Sequence, residues 1–221
     1  MNPADGKNSS GEAELARRLR GVRLFSALDE AQLARLAARA TVLALPRRGL
    51  FFTESDASRG LHVLLSGKVK LYRMSEEGKE QTIFLFGPGE PFCLCSVFSD
   101  GTLPANLAAL EDSEVLMLDP AGFEALVRED PGLLSSVLRV LSRRLKEAMD
   151  MIDALSLRDV PSRLLAYFES RADDGGRVEL DISYRELSRI VGVTPEALSR
   201  ALRRMVEEGL IEMDGPVIRI L

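Results

Sequence analysis

The chain has one histidine, no tryptophan and two cysteines in 221 residues, and each scarcity removes a class of chemistry. A nucleophilic triad needs a histidine oriented by an acid, and multi-histidine metal sites need several. With His62 alone, a cupin-type β-roll enzyme or a triad hydrolase is all but excluded within one chain. Cys93 and Cys95 stand one residue apart, a poor disulfide pair, so no disulfide framework is expected and a reducing cytoplasm is the expected home. No apolar run approaches the ~18 residues of a membrane span. The polar first twelve residues lack the apolar stretch of a secretory leader, and none is expected. Excess positive charge is missing too: 29 Lys and Arg against 34 Asp and Glu give −5. Bulk charge therefore does not hold nucleic acid here, although a local basic patch remains open.

What is present, 46% hydrophobic and 29% charged residues, suits an ordinary globular chain of one large or two small domains. Residues 1–12, where Gly, Ser, Asn and Lys offer nothing to bury, predict a disordered leader. Residues 13–40 carry Leu15, Leu19, Val22, Leu28, Leu33 and Leu36 at helical spacing, with Asp29 placed to cap the second helix. From Val42 to Leu118 the pattern changes to short β runs cut by Gly and Pro. The runs Leu61–Leu65 and Val69–Tyr72 flank Ser66-Gly67-Lys68 and read as a hairpin, and Val115–Leu118 reads as a last strand. With no helices between them, such strands predict an antiparallel barrel or roll. On a strand, His62 shares a face with Leu64, opposite Leu61, Val63 and Leu65, and is expected to be partly buried and structural.

Residues 120–127 predict a short helix, and Pro131 opens a long one. Leu134, Leu138, Leu141, Leu145, Ala148 and Ile152 step by four and three, a coiled-coil seam that predicts a homodimer. Leu133, Val137 and Val140 form a second stripe suited to facing the roll. After Asp159-Val160-Pro161 a compact segment follows. Ser183 and Glu186 form a capping box at one helix start. Val191-Gly192-Val193 makes a tight turn, and Thr194-Pro195 opens the next helix as cap and first residue. A hairpin turns at Asp214-Gly215-Pro216. The domain organisation expected is a leader at 1–12, a sensor roll with leading helices at 13–130, a dimerisation helix at 131–157 and a helix-turn-helix domain at 158–221.

Helix, turn with Gly, helix and hairpin make the winged helix-turn-helix plan. Residues 185–204 hold Arg185, Arg189, Arg200, Arg203 and Arg204 against Glu186 and Glu196, a local +3 inside a chain of −5. Glu196, Ser199, Arg200 and Arg203 share one helix face, while Leu198, Leu202 and Met205 occupy another. A carboxylate and a guanidinium on an exposed face near a helix start suit major-groove bases: Glu accepts from cytosine and Arg donates to guanine. Thr194 and Glu196 also suit ordinary capping and first-turn roles.

This α+β layout resembles the CRP/FNR family of bacterial transcription regulators. The likeness runs over about residues 13–221 and is carried by "GLHVLLSGKVKLYRMSEEGKEQTIFLFGPGEPF" and "IVGVTPEALSRALRRMVEEGLIEMDG". It implies an antiparallel, cyclic-nucleotide-binding-like β-roll, a dimerisation helix and a C-terminal winged helix. The family's Glu-x-x-Ser-Arg pattern falls on Glu196, Ser199 and Arg200, and implies double-stranded DNA with TTGAT-like inverted repeats as partner. RNA polymerase is the expected further partner, and Thr194, Arg185 and Arg203, from the same capped and basic segment, are expected as further DNA contacts. The cyclic-AMP branch carries an arginine after its Gly-Glu corner, but here no arginine occurs between Lys79 and Arg128, so cyclic AMP is not the expected effector. The oxygen sensors' N-terminal cysteine cluster is missing as well, which disfavours an iron–sulfur cluster. Pro91-Phe92-Cys93-Leu94-Cys95-Ser96 is similar to the haem-ligating stretch of the carbon-monoxide sensor, with Cys95 where that protein has His. That makes haem or thiol sensing one reading of Cys93 and Cys95; plain core packing of two thiols is the other. A rival for the whole chain is an effector-binding module whose winged helix contacts protein rather than DNA.

Overall fold

The computed structural model describes residues 5–53, 60–94, 97, 103 and 105–221. Its contacts fall into two compact units, one of Met1–Tyr72 and Phe84–Arg144, the other of Arg73–Ile83 and Leu145–Leu221.

The first unit opens with helix α1 (Asp5–Arg20) and a short 3-10 turn (Arg23–Phe25), followed by α2 (Glu30–Arg39). α1 thus starts inside the segment expected to be a disordered leader. Once the amphipathic turns around Leu15 and Leu19 are formed, each further residue adds one backbone hydrogen bond, so the helix extends beyond its apolar stripe. Asp29 caps α2 as its position predicts: its carboxylate accepts from the Gln32 amide at 2.7 Å, and the Gln32 side chain accepts from the Asp29 amide at 2.8 Å.

Among the described residues eight strands then build the roll: β1 (Thr41–Leu45), β2 (Leu50–Phe52), β3 (Leu61–Ser66), β4 (Val69–Met74), β5 (Glu80–Phe86), β6 (Pro91–Phe92), β7 (Asn106–Ala109) and β8 (Ser113–Leu118). They form two four-stranded sheets ordered β1-β8-β3-β6 and β2-β7-β4-β5. The expected hairpin of β3 and β4 is corrected here, because the two strands lie in different sheets. Gly67 carries the crossover with φ +83°, and a Cβ there would stand 2.4 Å from the Asp112 carbonyl. Only glycine meets both demands. Local pattern reveals that a Gly turn separates two strands, but not whether the chain doubles back or changes sheets.

Strand alternation divides the core. Leu61 and Val63 join Leu116, Leu118, Leu19, Leu36, Phe25 and Phe123 in a cluster between sheet and helices. Leu64 joins Phe86, Phe92, Leu107 and Val115 in the roll interior. His62 faces the Phe51, Phe52 and Phe92 rings and is fully buried rather than partly so. Helix α3 (Pro120–Glu129) and the long α4 (Pro131–Leu157) follow. Leu133 and Val137 of α4 sit in the helix-covered cluster, with Val140 packed against it, as the second stripe predicts.

In the second unit, α5 (Val160–Glu169), β9 (Arg177–Glu179), α6 (Tyr184–Val191), α7 (Pro195–Glu207), β10 (Ile211–Asp214) and β11 (Val217–Ile220) enclose their own core. Leu164, Phe168, Leu187, Leu198, Met205 and Ile218 are its centre. The hairpin pairs Ile211 with Ile220 and Asp214 with Val217, and β9 adds to its edge. Together they make a three-helix core with a β wing.

Candidate nucleic-acid interface

Three local devices place α7. Ser183 starts α6 by accepting a hydrogen bond from the Glu186 amide at 3.2 Å. Gly192 ends it in the left-handed region at φ +77°, where a Cβ would come within 2.7 Å of Leu155 Cδ2. Thr194 then starts α7, its Oγ1 accepting from the Ala197 amide at 3.2 Å. The turn between the helices is therefore fixed by caps on both sides and by one obligatory glycine.

On α7, Leu198, Leu202 and Met205 are buried while Glu196, Ser199, Arg200 and Arg203 are exposed. The sequence pattern brings the four onto one solvent face near the helix start. The Glu196 carboxyl is held below the usual range, chiefly by its own backbone N–H and next by the Thr194 hydroxyl. It therefore stands ionised, an acceptor only, as pairing with a cytosine amino group requires. Ser199 Oγ donates back to the Pro195 carbonyl at 3.0 Å, so its hydroxyl is parked on the backbone and has to turn before it reaches a base. Arg185, Arg200 and Arg203 have no ion-pair partner among the described residues.

The five arginines counted on this unit are not equivalent. Arg189 is engaged by Glu80 at 2.8 Å and Glu186 at 3.2 Å, and Arg204 by Glu208 at 2.7 Å. The positive face is thus centred on Arg185, Arg200 and Arg203. Sequence reasoning also missed what holds α6. Glu186 is buried, and its carboxylate accepts from the Thr82 hydroxyl at 2.5 Å and from Arg189, rather than completing the capping box with Ser183. Gln81 donates to the Ile190 carbonyl at 3.1 Å. Thr82 and Gln81 come from the Arg73–Ile83 segment of the same unit. No local signal announced them, because the Thr82–Glu186 pair spans 104 positions.

The sensor candidates fare differently. β6 ends at Phe92, and Cys93 takes a left-handed φ of 54°. The strand alternation that placed both thiols on one face therefore does not reach them. Cys93 lies within the interior cluster with Phe86, Phe92 and Leu107 at 9% exposure, as a small buried hydrophobe does. Cys95 lies outside the described residues. Among the described residues no group of three or more His, Cys, Asp or Glu is disposed to hold a metal. Glu90, at the corner before β6, accepts from the Gly87 amide at 2.9 Å and from Arg144 at 3.0 Å. Its role reaches beyond the turn to α4. On that helix Leu138, Leu145 and Ile152 are exposed, 56%, 66% and 60%, whereas Leu141 is half-buried and packs on the helix-covered cluster.

A roll of this topology, followed by a winged helix with an exposed polar helix face, defines a DNA-binding transcription regulator with an effector-binding domain. Comparison with known proteins agrees. Residues 42–130 match the cyclic nucleotide-binding domain and residues 162–221 the Crp-like helix-turn-helix domain. The chain is 33% identical over 171 residues to the cyclic AMP receptor protein of Thermus thermophilus, spanning 77% of this chain and 79% of that one. It is 26% identical over 204 residues to the CRP-like cAMP-activated global transcriptional regulator of Mycobacterium tuberculosis, spanning 89% and 91%. A solved CooA mutant from Carboxydothermus hydrogenoformans shares the fold with a TM-score of 0.72 at 22% identity, over 82% of this chain and 84% of that one. The chain belongs to the CRP/FNR family of transcription regulators. Its relatives are regulators, and the chain is not an enzyme.

Proposed function

We propose that the chain acts in the cytoplasm as a homodimer that reads an inverted DNA repeat with TTGAT-like halves and works on RNA polymerase. The observation that carries this reading is the exposed face of Glu196, Ser199, Arg200 and Arg203 on a helix whose other side is buried. Arg200 donates to guanine, Glu196 accepts from cytosine and Ser199 reaches a neighbouring base edge. Arg203 and Arg185 meet phosphates, and the Thr194 cap sets the helix start against the groove. Dimerisation runs along the seam of Leu134, Leu138, Leu141, Leu145, Ala148 and Ile152. The largely exposed apolar side chains of that row support it. Two α7 helices about one DNA turn apart follow from such a dimer.

The effector is sensed by the roll and is not cyclic AMP, although the Thermus thermophilus relative is named for that nucleotide. The support is chemical: between Lys79 and Arg128 the sequence holds no arginine or lysine to meet a cyclic phosphate. Cys93 and Cys95 are the groups a haem or thiol signal would use. The burial of Cys93 favours the simpler role of core filling.

Selection from random duplex DNA tests the main reading. Wild type enriches an inverted repeat, and Arg200→Ala loses preference at one half-site position, a loss of ~1–3 kcal/mol there. Arg203→Ala weakens all sequences evenly and lowers the salt slope by about one. If wild type enriches no repeat, the winged helix serves protein contacts instead. If Arg200→Ala keeps full preference, another residue reads the base.

A further inference from the structure

The first unit contains a cleft of about 580 Å³ where the turn after α1, the Pro88–Pro91 corner and one face of α4 meet. None of its lining residues belongs to the cluster inside the roll. Arg23, Arg139 and Arg143 line it, against the single carboxylate of Glu90. That carboxylate already accepts from Arg144 at 3.0 Å, and Arg143 stands 3.7 Å from it. Arg23 and Arg139 have no carboxylate in ion-pair range among the described residues. The Arg139 guanidinium instead donates to the nearly buried Ser136 hydroxyl at 2.9 Å, which fixes its direction. Arg23 and Arg139, lining one cleft without a carboxylate in ion-pair range among the described residues, repel one another, and a bound anion relieves that repulsion.

We propose that this cleft binds a small phosphorylated metabolite, its phosphate held by Arg23, Arg139 and Arg143. Planar forks match phosphate oxygens in pairs. The volume exceeds that of one phosphate, and Leu24, Val140 and Pro91 supply an apolar wall for an organic body. The site is compatible with dimerisation. At about 100° per residue, positions 136, 139 and 143 lie roughly 140–200° around α4 from the row of Leu134, Leu138, Leu141 and Leu145. A partner on that row leaves the cleft open, and an occupant of the cleft touches the same helix from its other side.

Calorimetry on the full chain with inorganic pyrophosphate as probe tests the assignment. The wild type gives saturable heat, and Arg23→Ala and Arg139→Ala each weaken binding about tenfold, as loss of one charge-assisted pair does. Arg128→Ala, outside the cleft and paired with Glu124 on its own helix, leaves it unchanged. Circular dichroism checks that the variants, altered at exposed side chains, keep their fold. No saturable heat with wild type, or unchanged affinity in both cleft variants, overturns the site. Citrate binding as tightly as pyrophosphate overturns the choice of phosphate.

Discussion

Replacing His62 with Phe converts a buried titratable ring into an aromatic of similar shape. His62 is 0% exposed, its ring centroid stands 5.8, 5.1 and 5.5 Å from those of Phe51, Phe52 and Phe92, and neither nitrogen has a well-formed hydrogen bond among the described residues, although the Gly60 backbone favours its charged form. Desolvation pushes its pKa from the ordinary 6.5 down to about 4. Below about pH 6.5 the unfolded chain therefore takes up a proton that the folded chain refuses until about pH 4. The unfolded state binds more protons in that window, so the stability linked to His62 is complete above 6.5 and is lost as pH falls through the window. A gap of ~2.5 units corresponds to about 3 kcal/mol. Phe carries no such proton, and it also relieves two unsatisfied buried nitrogens, a gain of ~1–3 kcal/mol that does not depend on pH. Urea denaturation of both proteins from about pH 7.5 to about pH 4 isolates the linkage, because every carboxylate titrates in both and cancels in the difference. The variant should be the more stable at neutral pH, and its advantage should widen by up to ~3 kcal/mol toward pH 4. Parallel pH profiles would refute the argument, since they mean that His62 is protonated alike in the folded and unfolded chains.

The seam is best tested at Leu145, which is 66% exposed in the single chain, rather than at Leu141, which also packs on its own core. Leu145→Glu sets a charge against its symmetry mate at a cost of several kcal/mol, and sedimentation should show monomers at micromolar concentration with the circular dichroism unchanged; a fully dimeric variant excludes the seam. For the effector, calorimetry with cyclic AMP should give no heat at low micromolar concentration. Added haem should leave Cys93→Ala spectrally identical to wild type if the thiol only fills the core, whereas a Soret shift in that variant assigns Cys93 to the iron.

The elements of this chain were legible wherever a local cause sets them. Asp29, Thr194 and the Gly192 turn were readable because caps and left-handed residues act on the backbone within a few positions. The four-three spacing of Leu134 to Ile152 announced a long helix with a row of apolar residues left to cover. The exposed polar face of α7 was legible for the same reason, since helical periodicity separates Leu198, Leu202 and Met205 from Glu196, Ser199 and Arg200. What failed was long-range. Gly67 signalled a corner, but the sheet that β4 joins is chosen by β7, which supplies the partners Ala109 and Leu107. Cys93 and Cys95 were placed by strand alternation that stops at Phe92. The arginine count on residues 185–204 treated charges as equal, and two of the five are neutralised in ion pairs. For Arg189 the partner at Glu80 lies over a hundred positions away. Pairing Arg189 with Glu80 and with a Glu186 already bonded to Thr82 spends charge on fixing α6, the helix that sets the entry of α7. The arginines left without ion pairs among the described residues, Arg185, Arg200 and Arg203, are all exposed. A guanidinium that must exchange water for a base or phosphate does so at less cost when it has no protein carboxylate to leave.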